Sequence, residues 1–66
     1  MSPDTLAEIV VSLKNGTYCA DEWVADGFLS EETAYLIEDA VGELTTHQRN
    51  AFSSKDWMTW LVDLLE

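Results

Sequence analysis

Ser30-Glu31-Glu32-Thr33-Ala34-Tyr35-Leu36-Ile37-Glu38-Asp39-Ala40-Val41-Gly42-Glu43-Leu44 is the most regular part of the chain, and its period is helical. At 100° per residue, Leu36, Ile37, Ala40, Val41 and Leu44 fall on one side, while Glu31, Glu32, Glu38, Asp39 and Glu43 gather on the other. Ser30 is a hydroxyl cap, and two acids follow it at the positive end of the helix dipole. Gly42 interrupts the pattern and weakens the helix locally by ~1 kcal/mol relative to alanine. The helix is expected to stop there or to run on to Leu44.

The flanking segments follow the same grammar. Ser2-Pro3 is an N-cap with proline at the first helical position, and Leu6, Ile9, Val10 and Leu13 recur at helical spacing, predicting a helix over Pro3 to Lys14 that Gly16 terminates. Thr17 to Asp26 reads as a second, short helix with Cys19, Ala20, Trp23 and Val24 on one face and Asp21, Glu22 and Asp26 opposite; Gly27 ends it. Thr45-Thr46-His47-Gln48 can form a capping box that opens a turn of helix through Phe52. Ser53-Ser54-Lys55-Asp56 repeats that signal and launches a last helix carrying Trp57, Met58, Trp60, Leu61, Val62, Leu64 and Leu65. These seven side chains span roughly 200° of the circumference, wider than the ~100° stripe one core requires, so this helix is either central to the fold or partly used for association. There is no alternating strand pattern, repeat or linker. The expected architecture is all-α, a single acidic helical domain over residues 1–66 built as a compact bundle of four to five short helices.

Composition narrows the function. The 66 residues carry a formal net charge of −10, yet 47% are hydrophobic, which sets the chain apart from disordered acidic segments. A domain of this size buries only about 60% of the surface its unfolded chain exposes, which leaves little room for an enclosed cleft. No apolar run is long enough for a signal peptide or a membrane span of ~20 residues. A lone cysteine forms no internal disulfide, so a soluble, cytoplasmic protein is expected. Strong negative charge argues against direct binding to nucleic acid or to an anionic membrane, and favours a basic protein surface as partner.

Catalytic signatures are missing. One histidine, one cysteine, no glycine-rich phosphate loop and no zinc-spaced Cys/His pairs leave no catalytic residue, metal site or cofactor to assign. His47 is read as a helix-start surface residue, and Cys19 as a small buried hydrophobe beside Trp23. Asp26-Gly27 matches the fifth and sixth positions of a calcium loop, but Val24 and Thr33 occupy its third and twelfth, where ligands are required.

The remaining signal is electrostatic. Between Lys14 and Arg49 there is no lysine or arginine, but there are Asp21, Glu22, Asp26, Glu31, Glu32, Glu38, Asp39 and Glu43. In the 30–44 helix five carboxylates occupy ~18 Å, one per ~3.6 Å, close to the ~3.4 Å phosphate spacing of a DNA strand. Tyr35 falls within this acidic face, where its ring can stack on an arginine or stand for a base, or simply lie along the surface with its hydroxyl in water. The alternative to a functional face is a solvated one that keeps the protein soluble.

In size, charge and helical content, with the Asp21 to Glu43 block as its main feature, the chain resembles the small acidic inhibitors of bacteriophages and mobile elements, including anti-CRISPR proteins and anti-restriction DNA mimics. The resemblance implies a non-enzymatic inhibitor, monomeric or weakly dimeric, acting in the cytoplasm of a bacterial host. It would occupy the DNA-binding surface of a host nuclease or RNA-guided complex through Asp21, Glu22, Asp26, Glu31, Glu32, Tyr35, Glu38, Asp39 and Glu43. The alternative is a small adaptor or antitoxin-like module that docks Trp57, Trp60 and Leu64 in a partner's groove. A self-associating helical protein with a merely solubilising acidic surface is the third reading.

Overall fold

Each predicted cap is made. The computed structural model describes residues 2–66, leaving Met1 of the expected 1–66 domain outside, and contains five helices: α1 (Pro3–Asn15), α2 (Ala20–Ala25), α3 (Glu31–Glu43), α4 (Thr46–Ala51) and α5 (Ser54–Leu65). The Ser2 and Ser30 side chains accept from the amides of Thr5 and Thr33. Thr45 with Gln48, and Ser53 with Asp56, form reciprocal capping boxes at α4 and α5. The Ser53 amide, and after it the Ser53 hydroxyl, hold the Asp56 carboxyl below the usual carboxylate range. At the other end of α1, Gly16 adopts the left-handed region (φ 73°), and the amides of Gly16 and Thr17 donate to Leu13 and Ser12.

Helix α1 packs on α5, α2 packs on α3, and α3 also meets α5. The breadth of apolar surface on α5 is thereby explained, since it lies at the centre and faces two neighbours. The radius of gyration is 11.0 Å, matching the ~11 Å expected of a compact chain of this length. Among the described residues nine hydrophobic ones form the buried core: Ile9, Val10, Leu13, Ala20, Leu29, Ala34, Ile37, Trp57 and Leu61. Trp57 is its largest member, 1% exposed, with Phe52 and Trp60 edge-on to it at ring separations of 4.9 and 5.4 Å. Tyr18 fastens the α1–α2 connection to α3 by donating its hydroxyl to the Ala34 carbonyl at 2.8 Å, and Lys14 donates to the Phe52 carbonyl at 3.2 Å at the end of α4.

Three local expectations are corrected. Helix α2 begins at Ala20 rather than near Thr17, so Cys19 is an extended N-cap residue and is exposed, while Ala20 takes the buried place. Leu36 is 45% exposed, because α3 meets its neighbours along Ala34, Ile37, Val41 and Leu44, and this line leaves Leu36 at the border of the acidic side. Trp57 belongs to the core, which removes it from any docking surface.

Gly42 lies within α3 and takes no positive φ, and a Cβ built there meets nothing within 4 Å. Gly42→Ala is therefore expected to stabilise the fold by ~1 kcal/mol, raising Tm by about 4–8 °C. A thermal melt in which the variant is unchanged or less stable contradicts this placement of Gly42.

Candidate functional site

The acidic side chains assigned from sequence are all exposed, but the fold sorts them into two groups. The first lies along the outer side of α3. Measured round the helix from Ala34, Glu38, Glu31, Tyr35, Asp39, Glu32 and Glu43 follow one another over an arc of roughly 140° with Tyr35 near the middle. The packing of α2 against α3 brings Asp21 to the same surface, and the Tyr35 hydroxyl donates to the Asp21 carboxylate. The two helices thus present one joined acidic face. Tyr35 is 42% exposed, so its hydroxyl is held by a carboxylate while its ring remains open to a partner. Of the two readings of Tyr35, the one that leaves its hydroxyl in water is not the arrangement found.

The second group turns away. Glu22 and Asp26 border a shallow cleft with Glu8 of α1, beside the rings of Trp23 and Phe28. Sequence reasoning missed Glu8 and Phe28: Glu8 comes from a helix read only for its apolar face, and Phe28 lies in a turn. For Phe28 alone there is a weak sequence signal, an aromatic residue directly after the glycine that ends α2.

The cations are also redistributed. Arg49, outside the uncompensated block in sequence, shares a depression with Glu38, Tyr18 and Val41, and on its other side a second depression with Lys14. Glu38 is consequently the member of the face with a cation across from it. His47 is exposed on α4. Of the residues assigned to the alternative docking surface, Trp60 and Leu64 are half-buried against the core, and Trp57 is inside it.

Both phenols are pushed up, by different first causes. Tyr35 is pushed up to about 12 from 10.0, first by its hydrogen bond to Asp21, then by the charge of Asp21, by desolvation, and by Glu31 and Glu38. Tyr18 is pushed up to about 12 by burial, with Glu38 and Cys19 adding to it. These are the two tyrosines of the chain. A raised phenol pKa means that the folded state favours the neutral form, so this contribution is whole below pH 10 and is lost as pH rises through about 12. In a phenolate absorbance titration the native protein should ionise near 12 and the denatured chain near 10. A native midpoint at 10 contradicts the Tyr18 and Tyr35 environments.

Crowding of the carboxylates has a second measurable effect. Raising ionic strength from about 0.01 to 0.15 M shortens the screening length from ~30 Å to ~8 Å, that is, from the length of the whole molecule, 31 Å, to a fraction of it. Tm is expected to rise over this range as self-repulsion is screened. A flat Tm contradicts it.

Among the described residues no helix is long and apolar enough to cross a membrane, and no group of three or more His, Cys, Asp and Glu is placed to hold a metal ion. Compared with protein-family models, curated proteins and solved structures, the chain matches none of them. The surface itself carries the functional argument.

Proposed function

We propose that this protein is a non-enzymatic inhibitor whose acidic helical face takes the place of DNA on the basic surface of a bacterial nucleic-acid-processing defence complex. The observation that carries this reading is the Tyr35–Asp21 hydrogen bond, which fixes an aromatic ring within a row of carboxylates contributed by two packed helices. The five carboxylates between Glu31 and Glu43 put one charge on every ~3.6 Å of an ~18 Å stretch of helix, in unequal steps, and so offer a basic groove a charge density comparable with that of a phosphate strand. The Tyr35 ring gives that groove a flat surface of the kind an arginine or a base-stacking residue meets. Such a face is too short to fill an extended DNA channel, and it fits a local block at the place where a complex first engages duplex DNA. The reading puts its action in the cytoplasm of a bacterial host, with a phage or mobile element as its source.

The adaptor alternative loses its largest anchor, because Trp57 is in the core and not available to a groove. Affinity capture from a bacterial lysate, washed at low and high salt and with competing duplex DNA, tests the proposal. A nucleic-acid enzyme retained at low salt and displaced by DNA supports it; a salt-resistant partner indifferent to DNA refutes it.

A further inference from the structure

We infer that the cleft between α1 and α2, separate from the α3 face, receives a single arginine side chain of the partner. This inference rests on the reading of a basic partner, but it requires no imitation of DNA.

The cleft has a volume of about 330 Å³, the space of roughly ten water molecules. Its aromatic wall is held in place by the backbone. Gly27 takes the left-handed conformation (φ 79°), and the amides of Phe28 and Leu29 both donate to the Trp23 carbonyl, at 3.1 and 3.4 Å. Leu29 is buried by this turn, whereas Phe28 is held outward, 54% exposed, edge-to-face against Trp23 with ring centroids 5.8 Å apart. The turn thus keeps the Phe28 ring in water beside Trp23, as one wall of the cleft.

Three carboxylates say what covers it. Glu22 on α2 and Asp26 at its C-cap are four residues apart, a spacing at which like charges repel, and Glu8 approaches from α1. None of the chain's three cations, Lys14, Arg49 and Lys55, lines this cleft. A guanidinium satisfies both parts of the wall: its weakly hydrated plane stacks on aromatic rings, and its fork of N–H donors pairs with carboxylates. A lysine ammonium supplies the charge but neither the plane nor the fork.

The test is an NMR titration of the folded protein with three acetylated, amidated tripeptides, Gly-Arg-Gly, Gly-Lys-Gly and Gly-citrulline-Gly, the last a neutral isostere of the first. The arginine peptide is expected to shift the Trp23 indole and the Glu22, Asp26 and Phe28 amides, and to saturate in the millimolar range. The lysine peptide should bind several-fold more weakly and the citrulline peptide not at all. Phe28→Ala, and separately Glu22→Gln with Asp26→Asn, should remove the response while spectral dispersion shows the fold intact. Equal response to arginine and lysine, shifts centred on Tyr35 and Glu38, or no saturation would each overturn the inference. The two proposals fail separately: reversal of the α3 charges alone tests the DNA-mimicking face, and the arginine titration reads the cleft without any partner or DNA.

Discussion

Glu38→Lys combined with Asp39→Lys is expected to weaken binding to the partner by about 100-fold, on the scale of 2–5 kcal/mol seen when interfacial charge pairs are broken. Both side chains are exposed on α3, and neither contributes to the buried core, so the variant should keep the fold. Glu38→Lys sets a second cation in the depression shared with Arg49, and relief of crowding at Asp39 works in the opposite direction, so the net change in Tm should be small. The matched control is Asp63→Lys with Glu66→Lys, two exposed positions at the end of the chain that undergo the same change in net charge. If a general acidic character were responsible, the two double variants would bind alike. A face that acts through position predicts that only the α3 pair loses affinity. The remaining affinity of that variant should also depend less on salt, because fewer charges engage the basic surface.

Trp57→Ala is expected to destabilise the fold by about 3–5 kcal/mol, the range for truncating a fully buried large aromatic residue. A domain of this length has a total stability of only ~3–10 kcal/mol. The variant therefore loses from about a third to the whole of that stability, and its urea midpoint should fall steeply. Trp57 lies where α5 meets the rest of the core, in contact with Phe52 and Trp60, so its removal undermines several elements at once. Among the described residues its indole Nε1 has no hydrogen-bond partner, so the expected loss comes from packing. Urea denaturation followed by circular dichroism measures the effect. A loss below ~1.5 kcal/mol would contradict the central placement of α5, since that is less than cavity formation alone should produce. Trp60→Ala, at a half-buried position, should be milder, and it separates two ideas. Binding lost with the fold retained in that variant would favour docking through α5 over docking through α3.

Most of the helical framework was legible in the sequence because its signals are local. Ser30 with two acids behind it, Thr45 with Gln48 and Ser53 with Asp56 each satisfy backbone groups within three residues, and a linear reading finds such pairs. Glycines 16 and 27 were equally plain, since each supplies the positive φ that ends a helical segment. Assignments that depended on which neighbour covers a face fared differently. Leu36 belongs to the apolar half of α3 on a helical wheel, but the helices that cover α3 lie along Ala34, Ile37 and Val41 and leave it exposed. A helix read from Thr17 puts Cys19 on its apolar face, but α2 starts at Ala20 and Cys19 precedes it in extended conformation; a shift of the helix start changes which side chains have helical directions at all.

The candidate site shows the same division. The Glu31 to Glu43 row and the position of Tyr35 within it follow from period alone. The bond from Tyr35 to Asp21, the return of Arg49 to the neighbourhood of Glu38, and the approach of Glu8 to Glu22 and Asp26 are all products of tertiary packing. A gap without cations in the sequence is therefore not the same as a surface without cations. It remains the case that the central part of the α3 face, from Tyr35 to Asp39, is built from residues that one helix and its period bring together.

Under the proposed function, the acidic face and DNA compete for the same surface of the partner. The most direct measurement is a binding assay in which labelled duplex DNA is first bound to the captured partner and this protein is then added at constant ionic strength. Mutually exclusive binding, with DNA released in proportion to the protein added and no release by the Glu38→Lys, Asp39→Lys variant, is the predicted result. A stable ternary complex of partner, DNA and this protein would contradict it.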